Sequence, residues 1–522
     1  MENIKGNPVI SDSYISDVEY SSVYQLLQNP LNVHYVTGLN RLVNKSFKDK
    51  FSYCDLGCGN GASLNLLAAM FPAARFFGVD FNKTHIESAR NEAVYLGLGN
   101  VTYFQSDFSR VHEITFPVLD FIICYGAFSW VNMELQNKII DFVGDNLTNQ
   151  GKFVVEYAAK PGKVQVEALW YFMRQVTVNL GSDSVERAKR GIYYLDLLRN
   201  KGALFFRFNP VALAVEKNLP QRDIRAVAHN ALSEFQALHH SDVAERCMRA
   251  GLHYCGSPDP VANHPELLCP NVFLEDIRRQ DNSVKRETLK DFILNTGLRT
   301  DIFVKNTGKI DPGNGEAFMD IHFGLPRKIQ GQGSVRKFPS GISIDYSEAV
   351  YRDIVQCLSE EALKYSELLS SVNLAGYRSE DVLKALHMLV AGGLVVPFRG
   401  KAEKREAAVA GHAVPATATV KKLIERYSEF GKALYLPSLS AGQAFFLAPV
   451  EALLLKALIC FGDKPPVEWA CREIASQGLP LKIRGVEIHH PGQLENVVNN
   501  VYRQFTDFTL PDLVRLGILR HG

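Results

Sequence analysis

Between residues 51 and 160 the chain alternates short apolar runs with longer stretches of helical period. Phe51-Ser52-Tyr53-Cys54, Arg75 to Asp80, Val101 to Phe108, Leu119 to Gly126 and Gly151 to Tyr157 each read as strands. Their apolar positions are nearly continuous, as expected of strands covered on both faces. Ala62 to Phe71, Asn82 to Leu96 and Glu134 to Asn146 carry the helical period, with Asn82 placed to cap its helix. Strands alternating with helices of this length predict a parallel sheet and an α/β fold.

Beyond this region the rhythm changes. Residues 164–255 read as mostly helical, with breaks near Gly181 and Pro220, and 256–270 is rich in Pro, Cys and His. A helix is expected over 284–296, and glycine-rich strand-like pieces over 302–346, among them Phe318 to Phe323. From 347 to 398 helices end in Gly392-Gly393-Leu394-Val395-Val396-Pro397-Phe398, a winged-helix-like pattern. The Ala- and Lys-rich stretch from Lys401 to Ala418 is the best linker candidate, and a helical module fills 420–522. No internal repeat is visible.

A length of 522 residues suggests three or four domains, and 46% hydrophobic residues is ample for buried cores. The 57 basic and 56 acidic side chains nearly cancel, so no global field steers the chain toward nucleic acid. Nine scattered cysteines, several inside apolar runs (Cys54, Cys124, Cys460), suit a reducing cytoplasm. The start, Met1 to Asn7, has no apolar signal core. The most apolar stretch, Ala444 to Phe461, contains Pro449, Glu451 and Lys456 and reads as a buried helix rather than a span. A soluble cytoplasmic protein without stable membrane insertion is expected. Histidines and cysteines crowd His239 to Cys269 without the paired C-x-x-C spacing of structural zinc sites, so no metal is expected.

The candidate chemistry begins at the first strand. Asp55-Leu56-Gly57-Cys58-Gly59-Asn60-Gly61 is a Gly-x-Gly-x-Gly turn between strand and helix, where missing Cβ atoms let backbone approach a ligand. Asp80 closes the second strand and Asp107 the third. Acids at three successive strand ends, with the glycine turn after the first, describe a nucleoside site at the carboxyl edge of the sheet. The spacing departs from the dinucleotide G-x-G-x-x-G pattern, and Asp55 would repel a pyrophosphate.

These residues resemble the S-adenosylmethionine pocket of class I methyltransferases. Further along, Tyr125-Gly126-Ala127-Phe128-Ser129-Trp130-Val131 is similar to an H-G-x-x-S-W-V pattern. Glu156-Tyr157-Ala158-Ala159-Lys160-Pro161-Gly162-Lys163 keeps the Tyr and Pro-Gly of a Ser-Tyr-Asn…Pro-Gly-Trp segment. His229-Asn230-Ala231-Leu232, Gly251-Leu252-His253-Tyr254 and Asp291-Phe292…Leu298-Arg299 resemble later motifs. Together they resemble the bacterial protein lysine methyltransferases with a methyltransferase regulatory domain, typified by enzymes acting on rickettsial outer-membrane proteins. Positions 125, 156, 163 and 230 depart from that family's pattern on the substrate side.

The resemblance implies a class I Rossmann-like parallel sheet, a mainly helical regulatory region, and winged-helix-like and helical C-terminal modules. The expected division is 1–50 as an N-terminal lid, 51–163 as the S-adenosylmethionine-binding core, 164–346 as core completion with inserted helical and regulatory parts, 347–400 as the winged-helix-like module and 419–522 as the helical C-terminal module. Asp80 would hold the ribose, Asp107 the adenine amino group and Phe108 the ring. Gly57, Gly59 and Gly61 would shape the methionine side, with Asp55 near its ammonium. Tyr125, Trp130 and Tyr157 would wall a desolvated pocket for a lysine amine, and Tyr20 and Tyr24 would close over it. The expected partners are a protein substrate and a second copy in a homodimer, with no nucleic acid. A small-molecule O- or N-methyltransferase and a non-catalytic donor-binding scaffold remain the alternatives.

Overall fold

The computed structural model describes residues 15, 17, 23–40, 46–180, 183–305, 320–327, 335–401, 413–429, 431–462, 465–477, 481–483, 486–488 and 491–522. Helix α1 (Pro30–Leu39) precedes the sheet. Strands β1 (Ser52–Leu56), β2 (Arg75–Asp80) and β3 (Val101–Gln105) alternate with α2 (Ala62–Met70) and α3 (Lys83–Leu96). Then come β4 (Leu119–Cys124), α4 (Met133–Asn146) and β5 (Leu147–Ala158). The capping side chains are those a short polar residue can supply: Asn82 accepts the Thr84 and His85 N–H groups, and Asn132 that of Leu135.

A helical cap follows: α5 (Val164–Thr177), α6 (Ser184–Asn200), α7 (Leu204–Phe208), α8 (Pro210–Asn218) and α9 (Ile224–Leu232). It has its own apolar cluster around Trp170, Met173, Leu195 and Phe206. After α10 (His240–Arg249) the chain returns to the sheet as β6 (Leu252–Gly256) and β7 (Leu298–Lys305). The sheet order is β3-β2-β1-β4-β5-β7-β6. β7 runs antiparallel to both neighbours, so the sheet is mixed rather than wholly parallel. β6 lies in a stretch expected to be helical; at five residues it is too short for periodicity to declare it.

Past the sheet, strands His322–Gly324, Leu363–Lys364 and Val396–Phe398 form a small antiparallel sheet against helices Ala349–Glu360 and Ser379–Ala391. Phe318 and Met319, and 402–412 of the expected linker, lie outside the described residues. The apolar 444–461 stretch divides into strand Gln443–Leu447 and buried helix Pro449–Cys460. No helix among the described residues is long and apolar enough to cross a membrane.

The C-terminal parts do not stand apart from the sheet. One apolar cluster runs from Tyr53, Phe76 and Phe121 through α1 to Phe323, Leu386 and Leu453. Helix α1 is the wedge between them, buried from Pro30 to Gly38, and Asn29 Nδ2 donates to the Gly442 carbonyl at 2.8 Å. The expected N-terminal lid is therefore corrected for this part: a helix buried on all sides, with Asn32, His34 and Thr37 enclosed along with its apolar residues, is core. Tyr24 is also core, against Tyr435 at 5.5 Å between ring centres, and Tyr20 lies outside the described residues.

Candidate active site

A cavity of about 500 Å³ opens along the carboxyl ends of β1 to β5 and beneath the cap. Its donor-side floor is the turn after β1. Asp80, at the end of β2, accepts the Gly59 N–H at 3.0 Å through Oδ2 and the Asn82 N–H at 2.8 Å through Oδ1. The acid thereby fixes the glycine turn and the α3 entrance at once, and each oxygen keeps a lone pair for a ligand hydroxyl. His85 Nδ1 stands 3.6 Å from Oδ1.

The glycines divide by role. Gly59 (φ +54°) has no atom within 4 Å of where a Cβ would stand, so its backbone faces open cavity. Gly61 (φ +76°) serves packing instead, since a Cβ would meet the Tyr103 hydroxyl at 2.5 Å and the Ala89 Cβ at 2.9 Å. Gly57 backs onto Ala127, 2.8 Å from its Cβ position. Gly57 and Gly59 line the cavity and Gly61 lies behind them.

Asp55 is buried at the end of β1, with Oδ1 unpartnered among the described residues. Burial, then the nearby Asp80 charge, pushes its pKa up to about 7. A buried carboxylate oxygen with no donor is costly, and a ligand ammonium would relieve it. Asp107 lies two residues beyond β3, where its carboxylate accepts the Ser109 N–H, and Phe108 lines the cavity beside it.

The other half of the cavity is walled from β4, β5 and the cap. Tyr125 follows β4 and lines the cavity together with Glu156. Trp130 packs edge-on against Phe235 with ring centres 5.5 Å apart, and its indole Nε1 is buried without a partner among the described residues. Lys163, Arg222, His229 and Glu234 complete the cap side. Burial lowers the Lys163 pKa, with Arg222 adding to the effect, and burial also lowers that of His229.

Tyr157 is not in the cavity, and its expected place in the pocket is corrected. It is fully buried on the opposite face of the sheet, with Val155 and Phe303. Its hydroxyl donates to Asp301 at 2.5 Å and lies 3.3 Å from His240. The cause is the period of a strand: when Tyr157 points one way, Glu156 points the other. Glu156 lines the cavity and went unassigned in the sequence. The signal was there, a lone carboxylate in the run Phe153-Val154-Val155-Glu156-Tyr157. Phe235, Arg222 and Leu298 come to the cavity from distant segments and carried no comparable signal. Among the described residues no group of three or more His, Cys, Asp or Glu could hold a metal.

Residues 47–187 match a family model described as a methyltransferase domain. Residues 224–305 match one described as a predicted methyltransferase regulatory domain. The chain therefore carries a methyltransferase domain followed by a predicted regulatory domain, and it is an S-adenosylmethionine-dependent methyltransferase. The regulatory segment of this methyltransferase includes β6 and β7, so it completes the catalytic sheet rather than sitting beside it.

Uncharacterized protein sll1526 of Synechocystis is 25% identical over 510 residues, covering 97% of this chain and 99% of that one. Uncharacterized protein RP789 of Rickettsia prowazekii is 23% identical over 326 residues, 59% of this chain and 56% of its own length. Among solved structures, PKMT2 from Rickettsia typhi, also solved in complex with AdoHcy, shares the fold across 96% of this chain and 100% of its own. The TM-score is 0.65 at 18% identity.

Proposed function

We propose that this methyltransferase modifies lysine amines of a protein substrate. When bound, S-adenosylmethionine supplies an electrophilic methyl group. Asp80 would hold its ribose, Asp107 and Phe108 its adenine, and the Gly59 backbone with Asp55 its amino-acid end. That order runs along the sheet from β3 through β2 to β1, so the reactive end faces β4 and β5.

The observation that carries the reading is what lies there: a chamber walled by Tyr125, Trp130 and Phe235. Aromatic faces suit a cationic methylammonium product and also desolvate the incoming amine. The architecture shared with PKMT2 over nearly the whole chain supports a protein acceptor, as does the resemblance to protein lysine methyltransferases.

The test is incubation of the full-length protein with cell extract and tritiated donor, followed by total hydrolysis of the protein fraction. Counts in methyl-lysines are expected. Counts only in the organic extract would move the acceptor to a small molecule, and no incorporation despite donor binding would leave a scaffold.

A further inference from the structure

One charged group in the acceptor chamber has no place in the donor cradle. Glu156 is buried at 7% exposure, yet its side chain borders the cavity. Strand geometry fixes the direction: Glu156 pairs with Thr300 across β7, and Ala158 with the cavity-lining Leu298, on the face opposite Tyr157 and Arg299. Tyr125, just past the end of β4, lines the same cavity.

We propose that Glu156 accepts the proton from the acceptor's ammonium group. The inference rests on the amine reading above. A free lysine has a pKa of about 10.4, so it enters as an ammonium whose nitrogen has no free electron pair. Trp130 and Phe235 can shield that cation but cannot take its proton. A buried carboxylate attracts the ammonium and then, because burial penalises both charges, favours the neutral pair. In the transfer an N–H bond breaks and its electrons stay on nitrogen, while an O–H bond forms on Glu156. The proton leaves to water through the open mouth before the next turnover.

The surroundings agree with this assignment. Burial raises the Glu156 pKa, and Tyr125 partly opposes that rise. Beneath it, Cys124 is held protonated by burial, with Asp55 and Glu156 adding to the effect. Asp55 itself faces the donor's ammonium side. From the cap, Lys163, Arg222, Glu234 and His229 line the same cavity, and burial lowers the His229 pKa.

The experiment compares wild type, Glu156→Gln and Glu156→Asp with cell-extract protein and tritiated donor, counting methyl-lysine across the acid-to-neutral range. Wild type should lose rate as pH falls through a midpoint above the ordinary carboxylate range. E156Q should lose about 10²–10⁴-fold and the acid limb with it, while E156D keeps a limb. Calorimetric affinity for S-adenosylhomocysteine should stay unchanged in both, which also shows that they fold. Carboxyl-carbon NMR of labelled glutamate should show one high-titrating signal in wild type that is missing in E156Q. An E156Q enzyme with wild-type rate and pH profile overturns the proposal while leaving lysine as acceptor. A wild-type enzyme that labels no lysine overturns the acceptor reading and this inference with it.

Discussion

The two halves of the cavity are built by different means. The donor half, along β1 to β3, is made largely of backbone. Asp80 ties the Gly59 and Asn82 amides together, and the Gly57 and Cys58 amides bond to the Val79 carbonyl at 2.8 and 3.1 Å. The acceptor half, around β5 and β7, depends on side chains on both faces of the sheet. Glu156 and Tyr125 stand on the cavity face. On the other, Arg299 binds Asp301, Asp291 and Glu287, and Asp301 also receives Tyr157 and His240. A backbone cradle tolerates sequence change around it, whereas a side-chain network fails when one member is lost.

The largest expected effect tests the buried network. Arg299→Met should destabilise the fold by about 3–5 kcal/mol, because three carboxylates lose their buried cation. Denaturant unfolding measures it, and an effect within the ordinary surface range would remove the contrast between the halves. Burial raises the Asp301 pKa, but Arg299 and then His240 more than offset it and hold the carboxyl below the usual range. Its contribution is therefore complete above the ordinary aspartate pKa and disappears as pH falls through the depressed one.

Asp80→Ala should cost about 3 kcal/mol of donor affinity, roughly 100-fold, by removing two charge-assisted amide bonds and the ribose acceptor. Unchanged calorimetric affinity would end the assignment of the cradle. Asp55→Asn sharpens the same half. Wild-type donor affinity should weaken as pH falls through about 7, where the carboxyl loses its charge, and the variant should bind with a flat profile. Equal slopes in the two proteins would take Asp55 out of donor recognition.

The smallest effect is expected for Tyr157→Phe. Losing the hydroxyl bond to Asp301 should lower stability by about 1–2 kcal/mol and leave donor affinity and turnover near wild type. A large fall in turnover at unchanged stability would return Tyr157 to the reaction.

What the sequence determined by itself was the donor half. Asp55 to Asp107 is one continuous stretch, and strand period, glycine spacing and strand-end acids are local properties that need no partner to be read. Only the tertiary structure decided the acceptor half, where Tyr125, Glu156, Phe235 and Leu298 meet across long separations. It also decided which of Glu156 and Tyr157 faces the ligand, because successive strand residues point to opposite faces and only packing says which face is the cavity. The same holds for α1: its Asn32, His34 and Thr37 give no local sign of full burial, and its role as a wedge between sheet and C-terminal parts follows from what packs on both sides.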